Sequence, residues 1–473
     1  MNAKEGSGGF LSFAKSSLVF FVGNTLSKVI TIALLPLYTN VLPSADYGYF
    51  DVSVTCVTLL TSFLYCDVWT SVMRFMRDDL DGEAPKVVTA SGWVVFGCST
   101  ALYYLIGVAA GLAFSIPSIG LILLYGTFLN LQTMFSYIAR GWGENVRFAT
   151  SGIVNSVVNV ALNLVLILVL GWGYEALYVA FVAGSFAQCL YLFASLRMWE
   201  RLARPNLVKI RELFLYSAPL CLNSVAYWLL NSLGRVVVSF ALSLSASGIF
   251  AVGSRFGSAV NLATSCFTYA WQDVAFTSEC KPGSYFSRAV TQYTVFLMDA
   301  LAIMLPAISL AFPVLVGSDY AEAYAVVPSF LAVAVISAVS TFIGNIFYVI
   351  RDTKTIGKTM AVSCLVNVAL TYPLTAALGP NGTNLAIALA FLTNIVIRLA
   401  VLKGRISMSV VWRPVAGRLV LLTLCVAVYA ANVPIVSCIA FAAVLAYEVW
   451  AYKAKVSALV DAALGVLKGK KRS

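Results

Sequence analysis

Histidine is absent from this chain of 473 residues. Without it, the chain lacks the commonest metal ligand, the commonest general base and the side chain that ordinarily titrates near neutral pH. Charged residues are also scarce at 11%, whereas hydrophobic residues make up 60% of the chain and the mean hydropathy is +0.90. Because soluble domains carry about 25% charged residues, this composition indicates an integral membrane protein.

The ten cysteines show no pairing pattern. Most of them, such as Cys98, Cys189 and Cys425, lie in apolar segments, where a free thiol behaves as a small hydrophobic side chain. No Cys-x-x-Cys or Cys/His spacing occurs, so the sequence supports neither a disulfide scaffold nor a zinc site. We expect no metal and no cofactor.

Long apolar segments dominate the chain. About fourteen of them reach roughly 20 residues, the length that a helix needs to cross a hydrocarbon core about 30 Å thick. They are too long and too uniformly apolar for outer-membrane strands, which alternate in polarity over about 10 residues. The predicted spans are residues 17–39, 47–72, 88–112, 118–139, 149–170, 175–196, 213–241, 247–271, 289–312, 322–349, 356–377, 384–402, 414–431 and 434–452. The connections are too short to hold a soluble catalytic domain, so we do not expect an enzyme.

Positive charge is distributed asymmetrically. Nearly all of the 31 Lys and Arg residues lie in the termini or in alternate connections. Cytoplasmic loops carry this excess, so we expect both termini to be cytoplasmic in a multi-pass protein of a bacterial or archaeal cytoplasmic membrane. The net charge of +11 then reflects loop residues that face anionic lipid headgroups, and we expect no nucleic-acid partner.

An internal repeat divides the chain. The segment VNVAL at 158–162 recurs at 366–370, and GYFDV at 48–52 resembles GIFAV at 248–252. Each half contains six predicted spans, an even number, so the two copies enter the membrane in the same sense and form a parallel repeat. We therefore predict a first lobe over residues 1–205 and a second over 206–405. We expect residues 406–473 to form two further helices and a basic cytoplasmic tail.

Four cations lie within the predicted spans: Lys28, Arg235, Arg255 and Arg398. A cation at the bilayer centre costs about 2.5–3.5 kcal/mol on insertion scales and is by default a functional hypothesis. We interpret Lys28, Arg235 and Arg255 as substrate-binding cations of a central cavity. Arg398 is close to the cytoplasmic end of its span, so we expect its side chain to snorkel to the interface.

Polar side chains are spaced three or four residues from these cations or from one another, so they share a helix face with them. We expect them to line the cavity; they are Asn24, Asn223, Tyr227, Asn231, Ser258 and Asn261. The stripe of Asn155, Asn159 and Asn163 on the fifth span is better explained by hydrogen bonds between helices. With no histidine, an ion-coupling site would need a carboxylate, and Asp299 near the middle of the ninth span is the candidate.

Several short segments resemble one family in their order and spacing. After Lys28 they are residues 42–50 (LPSADYGYF), 72–75 (VMRF), 217–220 (SAPL), 231–235 (NSLGR) and 247–252 (SGIFAV). The chain resembles Wzx-type polysaccharide flippases of the MOP superfamily, which also contains MATE exporters and lipid II flippases. The family often has Asp just before the Arg of the seventh span. Here Gly234 takes that position, so we expect Arg235 to lack a neighbouring counter-ion.

The resemblance implies a MATE-like arrangement of two six-helix lobes plus two C-terminal helices. It further implies that the protein moves an undecaprenyl-diphosphate-linked oligosaccharide repeat unit from the cytoplasmic to the outer leaflet by alternating access. The diphosphate would bind the cavity cations. The expected partners are this lipid-linked glycan and the bilayer, with polysaccharide polymerase machinery as a further candidate.

Two alternatives remain open. Cavity cations suit a lipid II flippase equally well. A MATE-like multidrug/cation antiporter should instead carry net acidic charge in its cavity, whereas Lys28, Arg235 and Arg255 outweigh Asp299 here.

Overall fold

The protein is described by a computed structural model that covers residues 34–76, 83–276, 283–350, 352–408 and 410–469. These residues form sixteen α-helices and no strand. The helices are α1 Leu35–Val41, α2 Ser44–Leu64, α3 Val68–Met76, α4 Ala84–Phe114, α5 Ile119–Gly141, α6 Asn145–Leu164, α7 Glu175–Ser195, α8 Leu207–Asn231, α9 Leu233–Ala241, α10 Leu244–Phe276, α11 Gly283–Leu315, α12 Ala323–Val349, α13 Thr353–Leu378, α14 Pro380–Ile406, α15 Trp412–Ala431 and α16 Pro434–Gly469.

Twelve of the described helical segments are long and apolar enough to cross a membrane. The eighth predicted span corresponds to α10, which at 33 residues is long enough but is not among the twelve. The first predicted span begins within residues 1–33, which lie outside the described residues. The expected all-α, multi-pass membrane fold is confirmed.

Two predicted spans are broken into two helices. The second span becomes α2 and α3, because Cys66 and Asp67 adopt left-handed φ values of 47° and 55°. This conformation costs a non-glycine residue roughly 1–2 kcal/mol and cannot continue a right-handed helix. The seventh span becomes α8 and α9, which are separated at Ser232. The fifth span ends in a π-helical turn over Val165–Val169.

The helices pack in three sets. α3 to α7 pack mainly against one another and, together with α2, are called the first helix group. α8 to α14 are called the second helix group, and α2 packs most extensively against α10 of that group. The pair α15 and α16 packs against α11. Tyr324 of α12 and Tyr429 of α15 stack at 4.1 Å, and each hydroxyl donates to the other residue's backbone carbonyl at 2.8 and 2.9 Å. These reciprocal bonds fix α15 to the second helix group.

A polar network joins three helices of the first helix group. The Asn155 amide of α6 donates to Gln132 Oε1 of α5 at 2.6 Å and to Gln188 Oε1 of α7 at 2.7 Å. Ser185 also donates to Gln132 Oε1 at 2.9 Å. The prediction of hydrogen bonds between helices is confirmed for Asn155. Asn163, by contrast, donates within α6 to Asn159.

The two helix groups meet where α2 and α10 begin, an end of the molecule here called the predicted outer end. Ser44 and Ser245 share a hydrogen bond of 2.6 Å between their hydroxyl oxygens. The backbone N–H of Ser44 also donates to the Asp319 carboxylate at 3.2 Å. The hydroxyl of Tyr320 donates to the Leu42 carbonyl oxygen at 3.0 Å. These contacts hold the two helix groups together at this end.

Candidate functional site

Two arginines and one aspartate converge between α2, α9 and α10. Tyr47 and Asp51 lie one turn apart on α2, so their side chains share a face. Arg235 lies in the first turn of α9, and its backbone N–H donates to the Ser232 carbonyl at 3.1 Å. Arg255 lies on α10, which crosses α2. The break at Ser232 therefore begins the helix that carries Arg235 toward α2.

Arg235 forms an ion pair with Asp51. Its Nη1 lies 3.3 Å from Asp51 Oδ1, and its Nη2 lies 3.5 Å from Ser254 Oγ. Asp51 is only 4% exposed, and its Oδ2 has no hydrogen-bond partner among the described residues. The Arg235 side chain remains 29% exposed. In this ion pair the Asp51 carboxylate is therefore buried, whereas the Arg235 guanidinium remains accessible.

The expectation that Arg235 lacks a counter-ion was wrong. The acid is supplied by α2, 184 residues earlier in the chain, instead of by the residue before the arginine. Asp51 lies in the repeated segment 48–52, where its counterpart in the second copy is Ala251. An acid present in only one copy of the repeat was the signal that could have identified it.

Arg255 is held by a neutral group. Its Nε and Nη2 donate to the Tyr47 hydroxyl at 3.2 and 2.9 Å. No carboxylate in the described part of the chain forms an ion pair with it, although the Asp51 charge acts on it from a longer distance. The phenols of Tyr38 and Tyr125 also lie within electrostatic range of this guanidinium. The two guanidinium groups carry two positive charges and the single carboxylate carries one negative charge, so the described cluster has a net positive charge.

Exposed polar side chains continue from the cluster along α8 and α10. Tyr227 and Asn231 are exposed on α8, as are Ser258 and Asn261 on α10. Asn231 donates to the Tyr227 carbonyl and Ser258 to the Ser254 carbonyl, so both side chains bond within their own helix. Other predicted site residues fall outside this description: Asn24 and Lys28 lie within residues 1–33, and the side chain of Asn223 is not described.

Asp299 lies at a different interface. Its Oδ1 accepts from Arg418 Nε of α15 at 2.7 Å, and its Oδ2 accepts from the Tyr452 hydroxyl of α16 at 2.8 Å. The structure therefore places Asp299 against the C-terminal helix pair and does not bring it into the Asp51 cluster. Arg418 is a further cation within a span, and sequence reasoning missed it.

The expectation that Arg398 snorkels was also wrong. The residue is 4% exposed, and it donates to the Ser340 carbonyl of α12 at 2.7 Å and to Thr359 Oγ1 of α13 at 3.1 Å. Gly344 makes room for it, because a Cβ there would lie 2.8 Å from the Arg398 Nη1. The guanidinium thus joins α12, α13 and α14 inside the second helix group, and it is not part of the Asp51 cluster.

Comparison with solved structures shows the same fold. The lipid II flippase MurJ, in an inward closed conformation, aligns with a TM-score of 0.70 at 13% identity, covering 93% of this chain and 100% of that chain. An inward-facing multidrug resistance MATE family transporter of the MOP superfamily aligns at 0.63 with 12% identity, covering 80% and 94%. An outward-facing MATE family transporter aligns at 0.54 with 15% identity, covering 82% and 94%.

Sequence comparison places the chain in a family. A search of curated proteins found no match. The family model for polysaccharide biosynthesis proteins matches residues 13–272, which is more than half of the chain. That range contains Asp51, Arg235 and Arg255. The chain therefore belongs to the polysaccharide biosynthesis protein family, as a multi-pass membrane protein with the fold of MOP-superfamily transporters.

Proposed function

We propose that this protein is a flippase that moves an undecaprenyl-diphosphate-linked oligosaccharide repeat unit from the cytoplasmic to the outer leaflet by alternating access. The observation that carries the proposal is the surplus of guanidinium charge at Arg235 and Arg255 over the single carboxylate of Asp51. A half-buried surplus of positive charge favours an anionic ligand, because opposite charges attract more strongly where water is partly excluded.

A diphosphate diester fits this charge. Arginine binds phosphate oxygens through parallel N–H groups, and charge-assisted bonds of this kind are stronger than neutral ones. Arg255 donates to a neutral hydroxyl, that of Tyr47. It can therefore exchange this partner for a phosphate oxygen without breaking an ion pair. We assign Arg255 as the principal ligand of the diphosphate, with Arg235 and Lys28 adding to the field.

The glycan would bind polar side chains. In this proposal, hydroxyl and amide groups on three predicted spans contact the sugars; they belong to Asn24, Asn223, Tyr227, Asn231, Ser258 and Asn261. The exposure of Tyr227, Asn231, Ser258 and Asn261 supports this role. The lipid tail would remain in the bilayer, between the lobes.

Alternating access requires two lobes that move against each other. We propose lobes at residues 1–205 and 206–405, with residues 406–473 as an additional helix pair. The matching segments 158–162 and 366–370, which lie in α6 and α13, support this division. With both termini cytoplasmic, the contacts between Ser44 and Ser245 describe a state that is closed toward the outside. The substrate would then enter from the cytoplasmic side.

The membrane potential assists this direction of transport. An inside-negative potential favours outward movement of an anion by about 2.3 kcal/mol per charge for each 100 mV. A coupled counter-ion is therefore not required by the energetics. We place any ion-coupling role of Asp299 away from the headgroup site, because that residue faces α15 and α16.

A lipid II flippase is the second candidate, since MurJ aligns over 93% of this chain. The two candidates share a diphosphate headgroup and differ in the attached sugar. A cation exporter fits less well, because a net positive cluster repels its substrate.

The proposal is tested by Lys28→Ala and Arg255→Ala, made separately in a strain that depends on this protein for export. We expect surface polysaccharide to be lost and the lipid-linked precursor to accumulate on the inner leaflet, with protein levels unchanged. Arg147→Ala is the control, because Arg147 pairs with Glu144 at 2.8 Å near the start of α6, away from the cluster. Normal export in both test variants would remove the proposed anion site.

A further inference from the structure

A second charged cluster lies where α11, α15 and α16 meet. Asp299 of α11 accepts a hydrogen bond on each carboxylate oxygen, from Arg418 Nε at 2.7 Å and from the Tyr452 hydroxyl at 2.8 Å. Arg418 also donates from Nη1 to the Tyr447 hydroxyl at 2.8 Å. Asp299 is 3% exposed. Both oxygens of this carboxylate therefore have a hydrogen-bond donor, one of them cationic.

Glu448 of α16 is the unusual member of the cluster. It is 5% exposed, and neither of its carboxyl oxygens has a hydrogen-bond donor within the described chain. Glu448 lies one turn before Tyr452 on α16, so it shares the helix face that contacts Asp299. The charges of Asp299 and Arg418 both act on it. Among the described residues, the charged and titratable groups around it are Asp299, Arg418, Tyr447 and Tyr452.

These charges do not balance if both carboxyl groups are ionised. Two carboxylates against one guanidinium leave a net charge of −1 inside the protein. A buried carboxylate without donors is strongly disfavoured, and two adjacent carboxylates cannot both ionise readily. A single bound proton removes both problems, because it neutralises one group and allows it to donate to the other.

We propose that Asp299 and Glu448 form a binding site for one exchangeable proton, which resides on Glu448 at neutral pH. Glu448 is the position for the proton because Arg418 and Tyr452 already donate to the oxygens of Asp299. A metal cation fits poorly, since among the described oxygens of this cluster only the two of Glu448 have no hydrogen bond, and hard cations require about six oxygen ligands. The site is separate from the Asp51 cluster, and the inference does not depend on the proposed transport function.

Proton release from this site has a structural consequence. Once ionised, Glu448 of α16 and Asp299 of α11 carry like charges at close range in a poorly hydrated interface, and they repel each other. The contact between α16 and α11 therefore weakens as pH rises. The stabilisation is present while Glu448 holds its proton and is lost when that proton leaves.

Infrared spectroscopy of the purified full-length protein tests the proposal. At neutral pH we expect the carbonyl stretching band of a protonated carboxylic acid, which is lost in Glu448→Gln and retained in Glu322→Gln. Glu322 is an exposed residue that precedes α12 and serves as the matched control. A band of wild-type strength in Glu448→Gln would overturn the proposal.

Isotope labelling keeps the test decisive if the variant does not fold. In the wild-type protein, ¹³C-labelled glutamate should shift the band, whereas ¹³C-labelled aspartate should not. Absence of the band, or a shift with aspartate labelling alone, would show that Glu448 does not hold the proton.

We also expect the wild-type Tm to fall as pH rises above neutral and the Tm of Glu448→Gln to change less. Parallel declines would contradict the assignment.

Discussion

Gly48 of α2 and Gly248 of α10 lie at a crossing where the two helix backbones touch. A Cβ at Gly48 would lie 1.9 Å from the Leu244 carbonyl oxygen, and one at Gly248 would lie 2.0 Å from the Ser44 carbonyl oxygen. Small residues permit such close approach between membrane helices. The obstacles are backbone atoms, so any side chain at either position forces the helices apart.

Gly48→Ala should therefore open the predicted outer end. We expect the variant to lose about 1–3 kcal/mol of stability by overpacking. A cysteine placed at Ser245 should become more reactive toward a membrane-impermeant maleimide. Gly97→Ala in α4 is the control, because a Cβ there meets nothing within 4 Å. Equal labelling of Ser245→Cys in both backgrounds would show that this crossing does not close the molecule.

Variants of Arg235 and Asp51 can distinguish whether Arg235 stabilises the fold or binds the substrate. Arg235→Gln leaves Asp51 buried without its cation, and we expect a loss of up to about 3 kcal/mol of stability. Asp51→Asn in the same chain removes the buried charge and should restore the Tm. Transport should remain impaired in the double variant, because the substrate still lacks a cation. Normal transport by the double variant would mean that Arg235 serves only to neutralise Asp51.

The Asn155 network should affect stability and leave headgroup binding intact. Asn155→Ala takes the amide donor away from the buried Gln188 Oε1, whereas Gln132 Oε1 keeps its hydrogen bond from Ser185. Unsatisfied buried acceptors cost about 1–3 kcal/mol each, so we expect a lower Tm in detergent. Val157→Ala, at a 60% exposed position on the same helix, is the control. A matched Tm for the two variants would indicate that the network contributes nothing to stability.

The helices could be predicted from the sequence because their signal is local. Apolar runs of membrane-spanning length fixed the positions of α4, α7 and α14 to within a few residues. The breaks at Cys66 and Ser232 were not predicted, since no proline or glycine marks either position.

The candidate site was predicted only in part. Arg235 and Arg255 were identified because a cation within an apolar run is visible in the sequence. Asp51 and Tyr47 were missed, because their partners lie 184 and 208 residues away. Arg398 lies as near a helix end as a snorkelling residue would, and only the packing of α12 and α13 shows that it points inward. Contacts between distant segments require the three-dimensional structure.

The central claim is that a net positive cluster binds the diphosphate headgroup, and the most direct measurement is the affinity of the purified protein for undecaprenyl diphosphate. We compare wild type, Arg255→Gln and the control Arg147→Gln at one salt concentration, after checking that all three have similar Tm values. Losing one charge-assisted hydrogen bond costs about 1.5–3 kcal/mol, and about 1.4 kcal/mol corresponds to a tenfold change in Kd. We predict that Arg255→Gln binds at least about tenfold more weakly, whereas Arg147→Gln binds like wild type. Equal Kd values for wild type and Arg255→Gln would contradict the account.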